Sequence, residues 1–244
     1  MPGRPHGRQR WRRARAALLA PLAAALVLAS AGAALAAPLD EVVMPLERYN
    51  TAKARTLATT YRPQLVEFYQ HIYHCLPWVD LQKNGIGFRT PKGAPGDERY
   101  LSVWIWIDQG ADDAQFGGLP RERRASAMLS RYGVELLRRM VAIKGVARDD
   151  NVDGFSVVLS WLKPGSGRLG MPLVNETVAL FANRGSTLEF LARKLPPADF
   201  VSQAQLAVFD GKDELGRLPV EIWDDPFLKT FKLKDYEPPK NQRC

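Results

Sequence analysis

The chain is short of cysteine, of histidine and, over its first 36 residues, of acid. Among 244 residues there are two cysteines, Cys75 and Cys244, and three histidines, His6, His71 and His74. So few thiols exclude a disulfide-dense scaffold and a cysteine-rich zinc module. After the first 36 residues, imidazole chemistry is confined to His71 and His74. No internal repeat or low-complexity tract appears after that point, which excludes solenoid and fibrous architectures. Apolar runs long enough to cross a bilayer are also missing there, so no transmembrane segment is expected in the mature chain.

The amino terminus has its own character. Six arginines (Arg4, Arg8, Arg10, Arg12, Arg13 and Arg15) precede a charge-free run from Ala16 to Ala37, and Ala34-Leu35-Ala36 offers the small residues a signal peptidase accepts. Residues 1–36 therefore read as a signal peptide cleaved after Ala36, with an uncleaved membrane anchor as the alternative. The expected location is periplasmic or secreted. Charge supports the division: the whole chain has 34 Lys+Arg against 26 Asp+Glu, and removing six arginines leaves 28 against 26, or +2. A near-neutral body lacks the cationic surplus that nucleic-acid binding requires. An oxidising compartment permits a Cys75–Cys244 bridge. It would pin the polar tail 235–244 and, by loop entropy, contribute about 4 to 5 kcal/mol. A buried Cys75 with a loose terminal thiol fits the same spacing.

Patterning along residues 37–234 predicts a single α+β domain: a mostly antiparallel sheet of about five strands backed by helices. A helix opened by Pro63 carries Leu65, Phe68, Tyr69, Ile72, Tyr73 and Leu76 at helical spacing, a wide apolar face expected in the core. Residues 82–98, dense in Gly and Pro, read as a long loop. Leu101 to Ile107 is apolar on both faces and reads as an interior strand. A long helix spans about Pro120 to Lys144, with Met128, Leu129, Tyr132, Leu136, Met140 and Ile143 as its buried stripe and Gly145 as its stop. Strands follow at 154–162, 173–182, 204–210 and 218–223. Ser186-Thr187-Leu188-Glu189 reads as a capping box opening a short helix that Pro196-Pro197 ends.

Three constellations carry the possible chemistry. Asp149, Asn151 and Asp153, followed by Gly154, match the start of a calcium loop, which makes calcium the one cofactor the sequence suggests. The twelfth position is Ser160 rather than Glu, so an Asp/Asn/Gly turn is the preferred reading. Glu67, His71 and His74 share the polar face of the first helix and supply a transition-metal ligand set, against which stands an ordinary solvated face. Trp104 and Trp106 share one face of a strand and are the candidate ligand-binding residues, with core packing as the competing role. Gly165 to Gly170 matches G-x-G-x-x-G, but Met171-Pro172 and a strand follow where a helix is required, so it reads as a hairpin loop. Arg124, Arg131 and Arg138 read as a salt-laced solvent face. No complete catalytic set emerges. The expected function is an exported binding or accessory protein of the cell envelope, its partner an envelope protein, an envelope component or a small apolar ligand. The alternative is a metal-dependent hydrolase using Glu67, His71 and His74.

Overall fold

A computed structural model describes residues 39–76, 78–91, 96–97, 99–108, 114–167 and 172–225. Residues 1–36, the tail 235–244 and Cys244 fall outside the described residues. A six-stranded sheet organises the rest, its spatial order following the sequence: β1 (Val79–Arg89), β2 (Tyr100–Ile107), β3 (Gly154–Leu162), β4 (Asn175–Asn183), β5 (Gln205–Asp210) and β6 (Asp213–Gly216). Neighbours are antiparallel except β2 and β3, which run parallel. The parallel pair needs a crossover. The crossover is helical: α2 (Arg121–Met128), a π turn (Leu129–Gly133) and α3 (Val134–Ala142) run without a break. Before β1 lies α1 (Ala52–Cys75), and between β4 and β5 lie α4 (Arg184–Leu191) and α5 (Pro197–Gln203). This is the α+β domain the patterning predicts, with one strand more.

Alternation in the strands decides which face is covered. Val103, Ile105 and Ile107 of β2 and Phe155, Val157, Leu159 and Trp161 of β3 are almost wholly buried. The helical layer meets this face: Tyr61 of α1 packs on Phe88 with ring centroids 6.2 Å apart, and the π turn comes against Leu159. Further along, α4 touches α3, β3 and β4, while α5 touches α4 and β5, so the helices continue as one layer. The stripe predicted for the crossover is buried at Met128, Leu129, Tyr132, Leu136 and Met140.

Several local expectations are corrected. The first helix starts at Ala52, where the Thr51 side chain accepts from the Ala54 amide, and Pro63 lies well inside it. The stretch expected as a loop, 82–98, begins with most of β1, from Gln82 to Arg89. Glycine is needed there for close approach rather than for a turn: a Cβ at Gly85 would stand 2.6 Å from the Gln82 carbonyl oxygen and 2.7 Å from that of Trp104. A register shift between Leu81 and Ile86, with Asn84 at φ 55°, accommodates the extra residues as a bulge. Asn183, not Ser186, caps α4, its side chain accepting from the Ser186 amide at 2.8 Å, and Pro196-Pro197 begins α5 instead of ending α4. Residues 218–223 are extended, with Val220 and Ile222 buried, but belong to no strand. Their amides at Glu221 and Trp223 donate instead to Ser126 Oγ and Ser130 Oγ of the crossover helix, both at 3.0 Å.

Glycine substitutions should separate these roles. Gly85→Ala forces backbone atoms apart and should lower stability by about 1–3 kcal/mol. Gly185→Ala, in the first turn of α4 with only the Asn183 side chain at 3.6 Å, should raise it by about 0.5–1 kcal/mol. Urea denaturation of the two variants measures both; a Gly85→Ala variant as stable as the parent would remove the bulge from the account.

Candidate functional site

On the sheet face opposite the helical layer, residue size changes abruptly across the strands. Strand β2 presents Trp104 and Trp106, while the rows paired with them continue as Val158 and Ala179, and as Ser160 and Thr177. Bulky indoles beside a floor of small side chains leave a hollow. It is a cleft of about 720 Å³, within the range typical of small-molecule sites. The floor is Ser160 and Thr177, one wall is Trp104 and Trp106 with Gln82 of β1 beside them, and the opposite wall is the β5–β6 turn with Asp210, Lys212 and Asp213. Leu173 and Asn175 close the end where the β3–β4 hairpin turns. Trp104 is 40% exposed and Leu173 74%, high values for large apolar side chains.

The indole of Trp104 is held in place from below. Its Nε1–H donates to Ser160 Oγ at 3.0 Å, and Ser160 in turn shares a hydrogen bond of 2.9 Å with Thr177 Oγ1. Three strands thus fix one ring, and the hydroxyls satisfy its polar edge without covering its face. Sequence periodicity put both tryptophans on one face but left open whether that face was filled.

A buried ionic network anchors the far wall. Glu176 of β4 is fully buried and accepts from Arg124 Nε at 2.8 Å and from the Trp161 indole at 2.9 Å. Arg121 bridges from Glu176 to Asp210 Oδ2, the latter at 2.5 Å, and Lys163 Nζ donates to both Asp210 oxygens at 2.7 and 2.9 Å. Asp210 sits opposite Glu176 in the β4–β5 ladder. Two carboxylates side by side would repel, and the cations of α2 and Lys163 compensate them. Arg124 therefore does not belong to a solvated arginine row: it points inward. Nothing in the helix sequence marks it, because its partner lies 52 residues away. Arg138 makes the exposed in-helix pair expected of such a row, with Glu135, whereas Arg131 pairs with the largely buried Asp225.

Neither proposed metal set is assembled, and among the described residues no group of three or more His, Cys, Asp or Glu could hold a metal ion. In the calcium-like turn the carboxylates are engaged by neighbouring residues. Asp149 Oδ2 accepts from the Tyr61 hydroxyl at 2.9 Å, and its Oδ1 accepts from the Asn151 amide at 2.9 Å and from the Asn151 side chain at 3.0 Å. Asp153 is paired with Arg99 and Asp150 with Arg184. Burial and the Asp149 hydrogen bond push the Tyr61 hydroxyl up to about 12. Burial alone would raise the Asp149 carboxyl, but hydrogen bonds from Asn151 and Tyr61 and the charge of Arg184 bring it below its ordinary value. The turn stitches α1 to β3.

On α1, Glu67 and His71 line a second hollow of about 650 Å³ facing Arg139, Ile143 and Lys144. His74 does not join them; its ring packs edge-on against Tyr73 at 5.0 Å. Burial, then the nearby Arg139 charge, lowers His71 to about 4 despite Glu135. A groove walled by Arg139 and Lys144 is a poor cation site. Of the cysteine pair, Cys75 ends α1, its sulfur 3.7 Å from His71 Nδ1. No protein-family model, curated protein or solved structure matches the chain.

Two measurements follow. Glu176→Gln leaves Arg124 buried opposite a neutral amide and should cost about 3–5 kcal/mol in urea unfolding; a loss below about 1 kcal/mol would mean that the network is ornamental. His71 binds a proton near 6.5 when unfolded but only near 4 when folded, so acidification through that window favours the unfolded chain. Stability should fall as pH drops from 6.5 towards 4, and the His71→Gln variant should lose less over the same interval.

Proposed function

We propose that this is an exported binding protein of the cell envelope and that the Trp104–Trp106 cleft is its ligand site. The observation that carries the reading is the exposure of Trp104, at 40%, from the middle of an interior strand. A tryptophan there buries far more apolar surface if a neighbour covers it, so leaving it open costs stability. Such a cost is typical of surfaces kept for binding. Support also comes from the pinned indole, since a ring already fixed loses little freedom when a ligand arrives. The arginine-rich start, the apolar alanine run and Ala34-Leu35-Ala36 support export of residues 37–244 to the periplasm or medium. In that setting a Cys75–Cys244 bridge forms and ties the carboxyl end to the end of α1.

Amino-terminal sequencing of the native protein should begin at Ala37, and intact mass should rise by two hydrogen atoms on reduction. A protein that retains Met1 in the cytosol would end the export reading. For the cleft, a thermal-shift screen over sugars, lipids, peptides and metabolites should yield a compound that raises the melting temperature of the parent by a few degrees but not that of a Trp104→Ala, Trp106→Ala variant. Identical responses in the two would move the site elsewhere.

A further inference from the structure

Building on the cleft as the binding site, the geometry points to its ligand class: we propose that it takes a neutral carbohydrate. A sugar ring stacks on Trp104, and its hydroxyl rim bonds to Gln82, Asn175 and Asp213. A pyranose has two kinds of surface, C–H faces that behave as apolar and a rim of hydroxyls, each of which donates and accepts. The cleft has both counterparts. Trp104 and Trp106 supply flat apolar area on one wall, and around them stand amides, hydroxyls and carboxylates that supply donors and acceptors together.

Charge narrows the choice. Two lysines of the lining, Lys163 and Lys212, are matched by two aspartates, Asp210 and Asp213, so its ionic groups balance, and Lys163 is already joined to Asp210 at 2.7 Å. Stacking of nucleic-acid bases on tryptophan is ordinarily accompanied by a cationic groove for the backbone, and this cleft has no cationic surplus. An acyl chain prefers an enclosed, mainly apolar cavity, whereas here the apolar members stop at Trp104, Trp106, Leu173 and Val174. Proline-rich peptides also use aromatic grooves. Proline, however, brings no N–H, and the carboxylates and amide oxygens of the rim would accept nothing from it. Hydroxyls fill those acceptors.

Size agrees with a chain rather than a single ring. From β2 to β5 is three strand spacings, about 14 Å, wider than one sugar ring. The cleft floor of Ser160 and Thr177 is hydroxyl-bearing, so an extended saccharide can lie across the strands with one unit stacked on the tryptophan wall and the next over the floor.

Isothermal titration of the purified protein with neutral oligosaccharides of glucose, N-acetylglucosamine and mannose tests this, beside a proline decamer, oligo(dT) and the apolar dye N-phenyl-1-naphthylamine. At least one oligosaccharide should bind. Its affinity should fall by about tenfold or more in Trp104→Ala, the equivalent of about 1.4 kcal/mol. It should fall several-fold in Asn175→Ala and change by less than about twofold between low and high salt, because no charge is exchanged. Unchanged circular dichroism shows that each variant is folded, and Trp104→Phe should recover part of the affinity. If the dye or the proline peptide binds in a Trp104-dependent way and no saccharide does, the carbohydrate assignment fails while the cleft survives. If a saccharide binds equally well to the Trp104→Ala and Trp106→Ala variants, the assignment of the site fails. If no probe of any class binds, both the inference and the binding reading fall.

Discussion

Glu176 is the contact on which the architecture turns. A carboxylate with no solvent exposure is tolerable only when its oxygens are filled, and Arg124 and Trp161 fill them from the helix and from the neighbouring strand. Burial of this charge sets the position of α2 relative to β4. Arg121, one turn earlier, is thereby brought to Asp210, and Asp210 to Lys163. Thus the wall of a cleft on one face of the sheet is referenced to a helix on the other. Such networks are weak evidence for raw stability, since an apolar replacement of similar volume can be as stable. Their contribution here is positional.

The two faces of the sheet divide the labour. Branched and aromatic residues on the helical side make the core, and there the alternation along β2 and β3 reads directly as burial. On the far side the sequence alternates large with small across strands rather than along them. Trp104 beside Val158 and Ala179, and Trp106 beside Ser160 and Thr177, come from three segments of the chain. That juxtaposition produces the cleft.

Legibility followed the range of the interactions. Strands β2 to β5, the crossover helix and the helix carrying Phe68 and Ile72 were readable because a local period and a nearby cap encode them. Strand β1 was not, since its glycines look like loop punctuation until the backbones of Gln82 and Trp104 and the Tyr49 side chain are brought against them. Residues 218–223 have a genuine period of two, yet period reports an extended backbone and not its partner. Here the partners are the hydroxyls of Ser126 and Ser130. The tryptophan pair was identifiable as a candidate, but the hollow beside it was not. Asp149 and Asp153 show the converse: a motif can be present in order while its carboxylates are already engaged by Tyr61, Asn151 and Arg99.

The parallel seam between β2 and β3 also governs the order of assembly. Ser102 and Ser156 meet across it although 54 residues separate them in the chain. By contrast, β3 to β6 form a meander, interrupted only by α4 and α5, whose contacts close over short loops. Chain-closure entropy makes the seam a late event. Because Trp104 belongs to one side and Ser160 to the other, a nascent polypeptide has no cleft until that last docking is complete. The hollow is then a property of the finished fold alone, absent from every partly assembled form of the sheet.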